Sequence, residues 1–201
     1  MESAFHRPLK RLRLETWWLQ EEFVSMCARP SERNKQLTCE MAVVRLHDAW
    51  SRFCRELIII SASERTLTLG GLQLKPLNAA INTRAAVVPF LLSTYKKRTY
   101  EPKWGDATEC IDAARRLSIM NLATVAAALG AINSPANDIR NVRNFYAHRG
   151  KGAAQRAVAT NLFSNPTRPV VFELSAYTSG GKRVIESWVE RLLAVAIAAA
   201  Q

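Results

Sequence analysis

The sequence predicts a mainly α-helical bundle of five or more helices, one domain over residues 1–201, with a small β-hairpin inserted at 65–75. Three observations carry this expectation. Apolar residues recur at three- and four-residue spacing through most of the chain, the period of a helix with one buried face. Alternation of period two shows in only two short tracts. Apolar residues make up 48% and charged residues 22% of the 201, a globular composition that excludes disordered, collagen-like and fibrous classes.

The first helix is expected over Leu9–Cys27, with Leu12, Trp18, Leu19, Phe23 and Met26 on its apolar face and a stop before Pro30. The longest runs from Asn34 to Ala62, where Leu37, Met41, Val44, Leu46, Trp50, Phe53, Leu57 and Ile60 trace a broad apolar face. From Arg65 to Lys75 the period changes, with Leu67 and Leu69, then Leu72 and Leu74, alternating around Gly70-Gly71 as in a hairpin. A helix over Asn78–Tyr95 is disturbed near Pro89. Lys96–Gly105 is a basic, proline-containing connection, and Asp106–Ala131 reads as one strong helix. Ser134-Pro135 is a start signal, a side-chain cap followed by the one helix position that welcomes proline. That helix runs to about Arg149, with Gly150 as its stop. Ala153–Phe163 is expected to be helical and Pro169–Tyr177 extended. Gly180-Gly181 then leads into a last amphipathic helix through Ala200.

The longest unbroken apolar run, Leu192–Ala200, has nine residues, against about 20 needed to span a bilayer. No membrane segment is therefore expected, and MESAFHRPLKRLRLE shows no secretory signal. Cys27, Cys39, Cys54 and Cys110 form no CxxC pair and none adjoins His148, so no metal site is expected. Their expected state is reduced, mostly buried thiols in a cytoplasmic protein.

The charge is unusual. Twenty-eight basic residues against 17 acidic ones give +11, a field that attracts polyanions. Between Ile139 and Phe172 there is no acidic residue, while Arg140, Arg143, Arg149, Lys151, Arg156 and Arg168 contribute +6. More than half of the excess thus lies in about one-sixth of the chain.

That basic stretch contains the candidate chemistry. At about 100° per residue, Asn137, Arg140, Asn141, Asn144 and His148 share one polar stripe, opposite Ile139, Val142, Phe145 and Tyr146. Lys and Glu would serve a plain solvent face better, because Asn competes with the helix for backbone hydrogen bonds. Arg143 and His148 are roughly 140° apart on the helix. Either the long Arg143 side chain reaches around toward the imidazole, or the helix packs on a copy of itself so that two Arg/His pairs line one cleft. Both arrangements suit RNA cleavage without a metal. An imidazole takes the proton of a ribose 2′-hydroxyl, a guanidinium holds the phosphate and its growing charge, and Asn144 orients the ring or a phosphate oxygen.

Arg143-Asn-Phe-Tyr-Ala-His148 resembles the Arg-x4–6-His motif of the HEPN (higher eukaryotes and prokaryotes nucleotide-binding) family, in which a polar residue typically follows the arginine. The likeness covers some fifteen residues around RNVRNFYAHRG and, elsewhere, only the helical architecture. The resemblance implies a bundle of about five helices, a homodimer formed around the motif, and metal-independent endoribonuclease activity with no cofactor. It also implies a role as a toxin or anti-phage effector, with an antitoxin or other regulatory partner protein. Arg143, His148 and Asn144 are then the catalytic residues, and Arg140, Tyr146, Arg149 and Lys151 meet the RNA. The tyrosine that some HEPN toxins carry two residues after the histidine, the target of AMP transfer, is Gly150 here. The alternative is a non-catalytic HEPN module that binds nucleic acid or a partner protein. A third reading is an unrelated helical DNA-binding or adaptor protein.

Other chemistry-bearing residues have simpler expectations. Phe145 and Tyr146 belong to the apolar stripe, with the Tyr146 hydroxyl able to turn into a cleft. His47 is expected at the surface or in a hydrogen bond. Trp17-Trp18 suit a core or subunit interface, and Lys96-Lys97-Arg98 between Tyr95 and Tyr100 form a basic, aromatic-flanked loop.

Overall fold

The computed structural model describes residues 3–27, 32–95, 99–132, 134–148, 150–158, 174 and 180–201. Among these are eight helices and one two-stranded sheet, the helical bundle with a small hairpin that the apolar periodicity predicts. Helix α1 (His6–Cys27) packs on α2 (Glu32–Ser63) and on the last helix, α8 (Val184–Ala199). Leu12, Thr16, Leu19 and Phe23 are among the buried positions of α1, a four-three-four spacing that keeps one face toward the core. Trp18, expected on that face, is 64% exposed and Trp17 is 49% exposed. They stand one and two residues off the buried line and meet each other edge-on, with ring centroids 4.8 Å apart. In α2, Leu46, Trp50, Phe53, Leu57 and Ile60 are buried as expected, while Leu37 and Met41 are exposed. From Leu57 to Ile60 every α2 side chain is buried, so this stretch presents no side to solvent.

Strands β1 (Thr66–Leu67) and β2 (Gln73–Leu74) pair antiparallel, Thr66 opposite Leu74 and Leu67 opposite Gln73. Gly71 takes φ 87° in the turn, a conformation glycine adopts without steric cost. The hairpin clasps both ends of the chain. Thr66 Oγ1 accepts from the Ala4 amide at 2.9 Å, and the Leu69 amide donates to the Ala200 carbonyl at 2.8 Å. The second bond satisfies one of the carbonyls that the end of α8 leaves without a helical partner.

Two expected helices are shorter or divided. The stretch from Asn78 is a turn in which Asn78 Oδ1 accepts from the Ala80 amide at 2.9 Å. Helix α3 (Arg84–Ser93) begins only after Thr83, whose side chain caps the Ala86 amide, and it carries Pro89 in its interior. Asp106–Ala131 splits into α4 (Ala107–Arg116) and α5 (Leu122–Leu129). The break is a Schellman closure: the Ser118 amide donates to Arg115 O at 3.0 Å and Ile119 to Ala114 O at 3.3 Å, with Ser118 at φ 52°. Glycine usually fills that left-handed position, and a serine there leaves no visible stop signal.

Helix α6 (Ala136–His148) packs on α2, and α7 (Lys151–Val158) packs on α6. The Ser134 hydroxyl accepts from the Ala136 amide at 3.4 Å. Gly150 separates the two helices, and its carbonyl takes the first α7 bonds, from Ala153 and Ala154 at 3.0 Å. Expected structure over 159–163 lies outside the described residues. Of the expected strand Pro169–Tyr177 only Leu174 is described, and it is helical and buried rather than extended. Among the described residues no helix is long and apolar enough to cross a membrane.

Cys39, Cys54 and Cys110 are buried free thiols, while the side chain of Cys27 lies outside the described residues. Burial, then the neighbouring Cys110, pushes the Cys54 thiol well up from its ordinary value, so it stays protonated.

Candidate active site

The site begins where α6 crosses α2. Ala136, Ile139 and Val142 are buried in that contact, and Phe145 and Tyr146 pack against the core from the same helix. This apolar anchoring turns the other side of α6 toward a cleft of about 480 Å³, lined by Arg140, Arg143, Asn144 and His148. Arg143 and His148 therefore line the same cleft within a single chain. Opposite them are His47 and Ser51 of α2, the Lys103–Asp106 loop, and Arg156 of α7. Among the described lining residues, four basic side chains (Lys103, Arg140, Arg143 and Arg156) meet a single carboxylate, Asp106. The walls thus carry the sign that suits a phosphate.

The Lys103–Asp106 loop is held from several sides. Trp104 is buried and its indole donates to Glu101 Oε2 at 2.8 Å. Glu101 accepts at 2.8 and 3.2 Å from Arg55, and the Cys110 thiol donates to the Trp104 carbonyl at 3.0 Å. Asp106 then does two things. One oxygen caps α4, accepting from the Thr108 amide at 2.9 Å and the Glu109 amide at 3.4 Å, while the other pairs with Arg140 Nη1. Arg140 is thereby tied to the α4 terminus as well as facing the cleft, and burial, then the Arg156 charge, lowers its pKa from the ordinary arginine value.

Arg143 Nη1 donates to Asn144 Oδ1 at 3.2 Å. Its Nε is buried with no hydrogen-bond partner. His148 is exposed at the C-terminal end of α6.

The expected RNA-binding residues do not all gather here. Tyr146 stacks edge-on against Phe145, centroids 5.2 Å apart, and is not among the cleft's lining residues. Lys151 is exposed at the start of α7 and also does not line the cleft. Arg149 and the Lys96–Arg98 loop lie outside the described residues. Tyr95 donates its hydroxyl to Asp112 Oδ2 at 3.0 Å, with Arg116 over its ring at 4.2 Å.

His47, expected only at the surface or in a hydrogen bond, also belongs to this cleft. Its side chain is 17% exposed and lines the same cleft as Arg143. A methyl group on Gly105 would lie 2.4 Å from His47 Nε2 and 2.6 Å from Ser51 Oγ, so only glycine at 105 lets the loop close over the imidazole. Burial, then the Arg143 charge, lowers the His47 pKa from its ordinary value, with Asp48 opposing and Arg140 adding to the shift. The available signal was spacing: His47 and Ser51 are one turn apart, beside the buried line through Leu46, Ala49 and Trp50. Their position opposite α6 is a tertiary fact. Among the described residues no group of three His, Cys, Asp or Glu side chains is placed to hold a metal ion. No protein-family model, curated protein or solved structure matches this chain.

Proposed function

We propose that this chain is an endoribonuclease that cuts RNA without a metal, by attack of a ribose 2′-hydroxyl on the adjacent phosphate. The observation that carries the reading is the meeting of Arg143, Asn144 and His148 in one cleft whose walls are basic. The reaction needs a proton removed from the 2′-oxygen, another delivered to the departing 5′-oxygen, and a cation for the charge that builds on the phosphate. His148 supplies acid/base capacity. Arg143 presents a planar, permanently charged donor group, which Asn144 steadies through their 3.2 Å bond. Lys103, Arg140 and Arg156 concentrate the polyanion at the cleft.

The resemblance to HEPN domains supports the same assignment and adds a homodimer around α6 and a toxin or anti-phage role under an antitoxin or regulatory partner, while the cysteine spacing, with no CxxC pair, favours a cytoplasmic setting. The test is purified protein with end-labelled RNA in EDTA. The expected result is cleavage that His148→Ala abolishes, with the variant's melting temperature preserved because the side chain is exposed. RNA binding without cleavage across varied RNAs would instead identify a non-catalytic binding module.

A further inference from the structure

We propose that His47 is a second catalytic residue of this cleft, the base that takes the 2′-hydroxyl proton, leaving His148 to protonate the departing 5′-oxygen. The inference rests on the endoribonuclease reading and divides its two proton transfers between two side chains of one chain.

Geometry carries it. His47 and His148 lie on different helices, α2 and α6, and line the same cleft, as does Arg143 of α6. The loop that covers His47 has glycine where any side chain would collide with Nε2. The Ser51 hydroxyl donates to the His47 carbonyl at 2.8 Å, which commits its proton to the backbone rather than to the imidazole. Asp48 Oδ1 stands 3.6 Å from Nδ1, and that nitrogen has no hydrogen-bond partner. A carboxylate on that side favours the tautomer with hydrogen on Nδ1, which leaves Nε2 as the lone-pair nitrogen. The charged groups around the imidazole are Asp48 on its own helix, Arg140 and Arg143 on α6, Lys103 and Asp106 on the loop, and Arg156 on α7. Burial and the arginine charges disfavour a cationic ring at this position, as a base that must begin neutral requires.

The step balances within the two imidazoles and the RNA. As the 2′-oxygen forms its bond to phosphorus, its proton passes to His47 Nε2. The phosphorus–5′-oxygen bond breaks and that oxygen takes a proton from His148. The products are a 2′,3′-cyclic phosphate and a 5′-hydroxyl, and exchange with water resets both rings. Arg143 stays charged throughout and holds the phosphate.

The test compares wild type, His47→Gln and His148→Ala on two RNAs in EDTA: an ordinary one, and one with sulfur replacing the 5′-oxygen at the bond the wild type cuts. Sulfur leaves without protonation, so it relieves a missing acid and not a missing base. On ordinary RNA each variant is expected to lose about 10²–10⁴-fold in cleavage rate. The sulfur substrate restores His148→Ala toward the wild-type rate and leaves His47→Gln slow. If the wild type cuts neither RNA, the endoribonuclease reading fails and takes this inference with it. If the wild type cuts and His47→Gln stays within twofold, the inference alone is overturned. Restoration of His47→Gln by sulfur also overturns it. Gly105→Ala is the second variant, leaving both histidines in place while its methyl displaces the His47 imidazole, and the same selective loss is expected. A Gly105→Ala protein that folds and cuts at the wild-type rate contradicts the assignment.

Discussion

Between Leu57 and Ile60 helix α2 buries every side chain in the apolar core, whereas two to three turns earlier, at Ser51 and His47, the same helix lines a polar cleft. Helix α2 as a whole packs on α1, α3, α4, α6 and α8, and its Leu57–Ile60 stretch contributes apolar contact. The cleft half faces cations, a glycine-closed loop, and polar atoms without partners on both sides, His47 Nδ1 and Arg143 Nε. The difference teaches where stability and chemistry are separable. In the buried half, removing a side chain removes packing. At the cleft, removing Arg143 strands no buried partner apart from its bond to Asn144.

The strongest way to break this comparison is Arg143→Ala. Loss of a preorganised donor to a developing oxyanion costs about 10²–10³-fold in rate, and cleavage should fall by that amount. Unfolding free energy should stay within about 0.5 kcal/mol of wild type, measured by denaturant titration. Leu57→Ala should do the reverse, costing about 2–5 kcal/mol of stability while the cleavage rate per folded molecule is unchanged. Asp106→Ala lies between the two regions, because it removes the α4 cap and the Arg140 partner together. A lost cap costs about 0.5–2 kcal/mol, and leaving Arg140 partly buried without its carboxylate adds to it, so a drop of about 1–3 kcal/mol is expected in the same titration. The smallest effect is a pH dependence. The folded chain holds a proton on His47 less readily than the unfolded chain, whose imidazole has its ordinary value of 6.5. Stability from this residue is therefore full above that value and is lost as pH falls through it toward the lower folded value. Melting temperatures of wild type and His47→Gln between pH 8 and pH 5 should show a shallower decline in the variant.

The bundle was legible because its helices are long and periodic. The hairpin was legible because Gly70-Gly71 interrupts alternating leucines. The division of α4 from α5 was hidden by Ser118, which takes the left-handed position without being glycine. The exposure of Trp17 and Trp18 was hidden by their hydrophobicity, since only the four-three-four line through Leu12, Thr16, Leu19 and Phe23 decides which face turns inward. Half of the candidate site, Arg143 to His148, stands on one helix and could be found by spacing. The other half, His47, Ser51 and Gly105, comes from two distant segments that meet α6 only after folding. Pairwise spacing along the chain cannot express that meeting. Asp106 shows the same limit. Its capping of α4 is local, but its pairing with Arg140 spans 34 positions.

The central claim is that this cleft breaks RNA through the ribose 2′-hydroxyl, and end-group analysis tests it most directly. The measurement incubates wild-type protein in EDTA with one RNA sequence, made once with ordinary ribose and once with every 2′-oxygen methylated. The account predicts 2′,3′-cyclic phosphate and 5′-hydroxyl ends from the first strand and an intact second strand. Cleavage of the methylated strand, or ordinary RNA left whole, would contradict it.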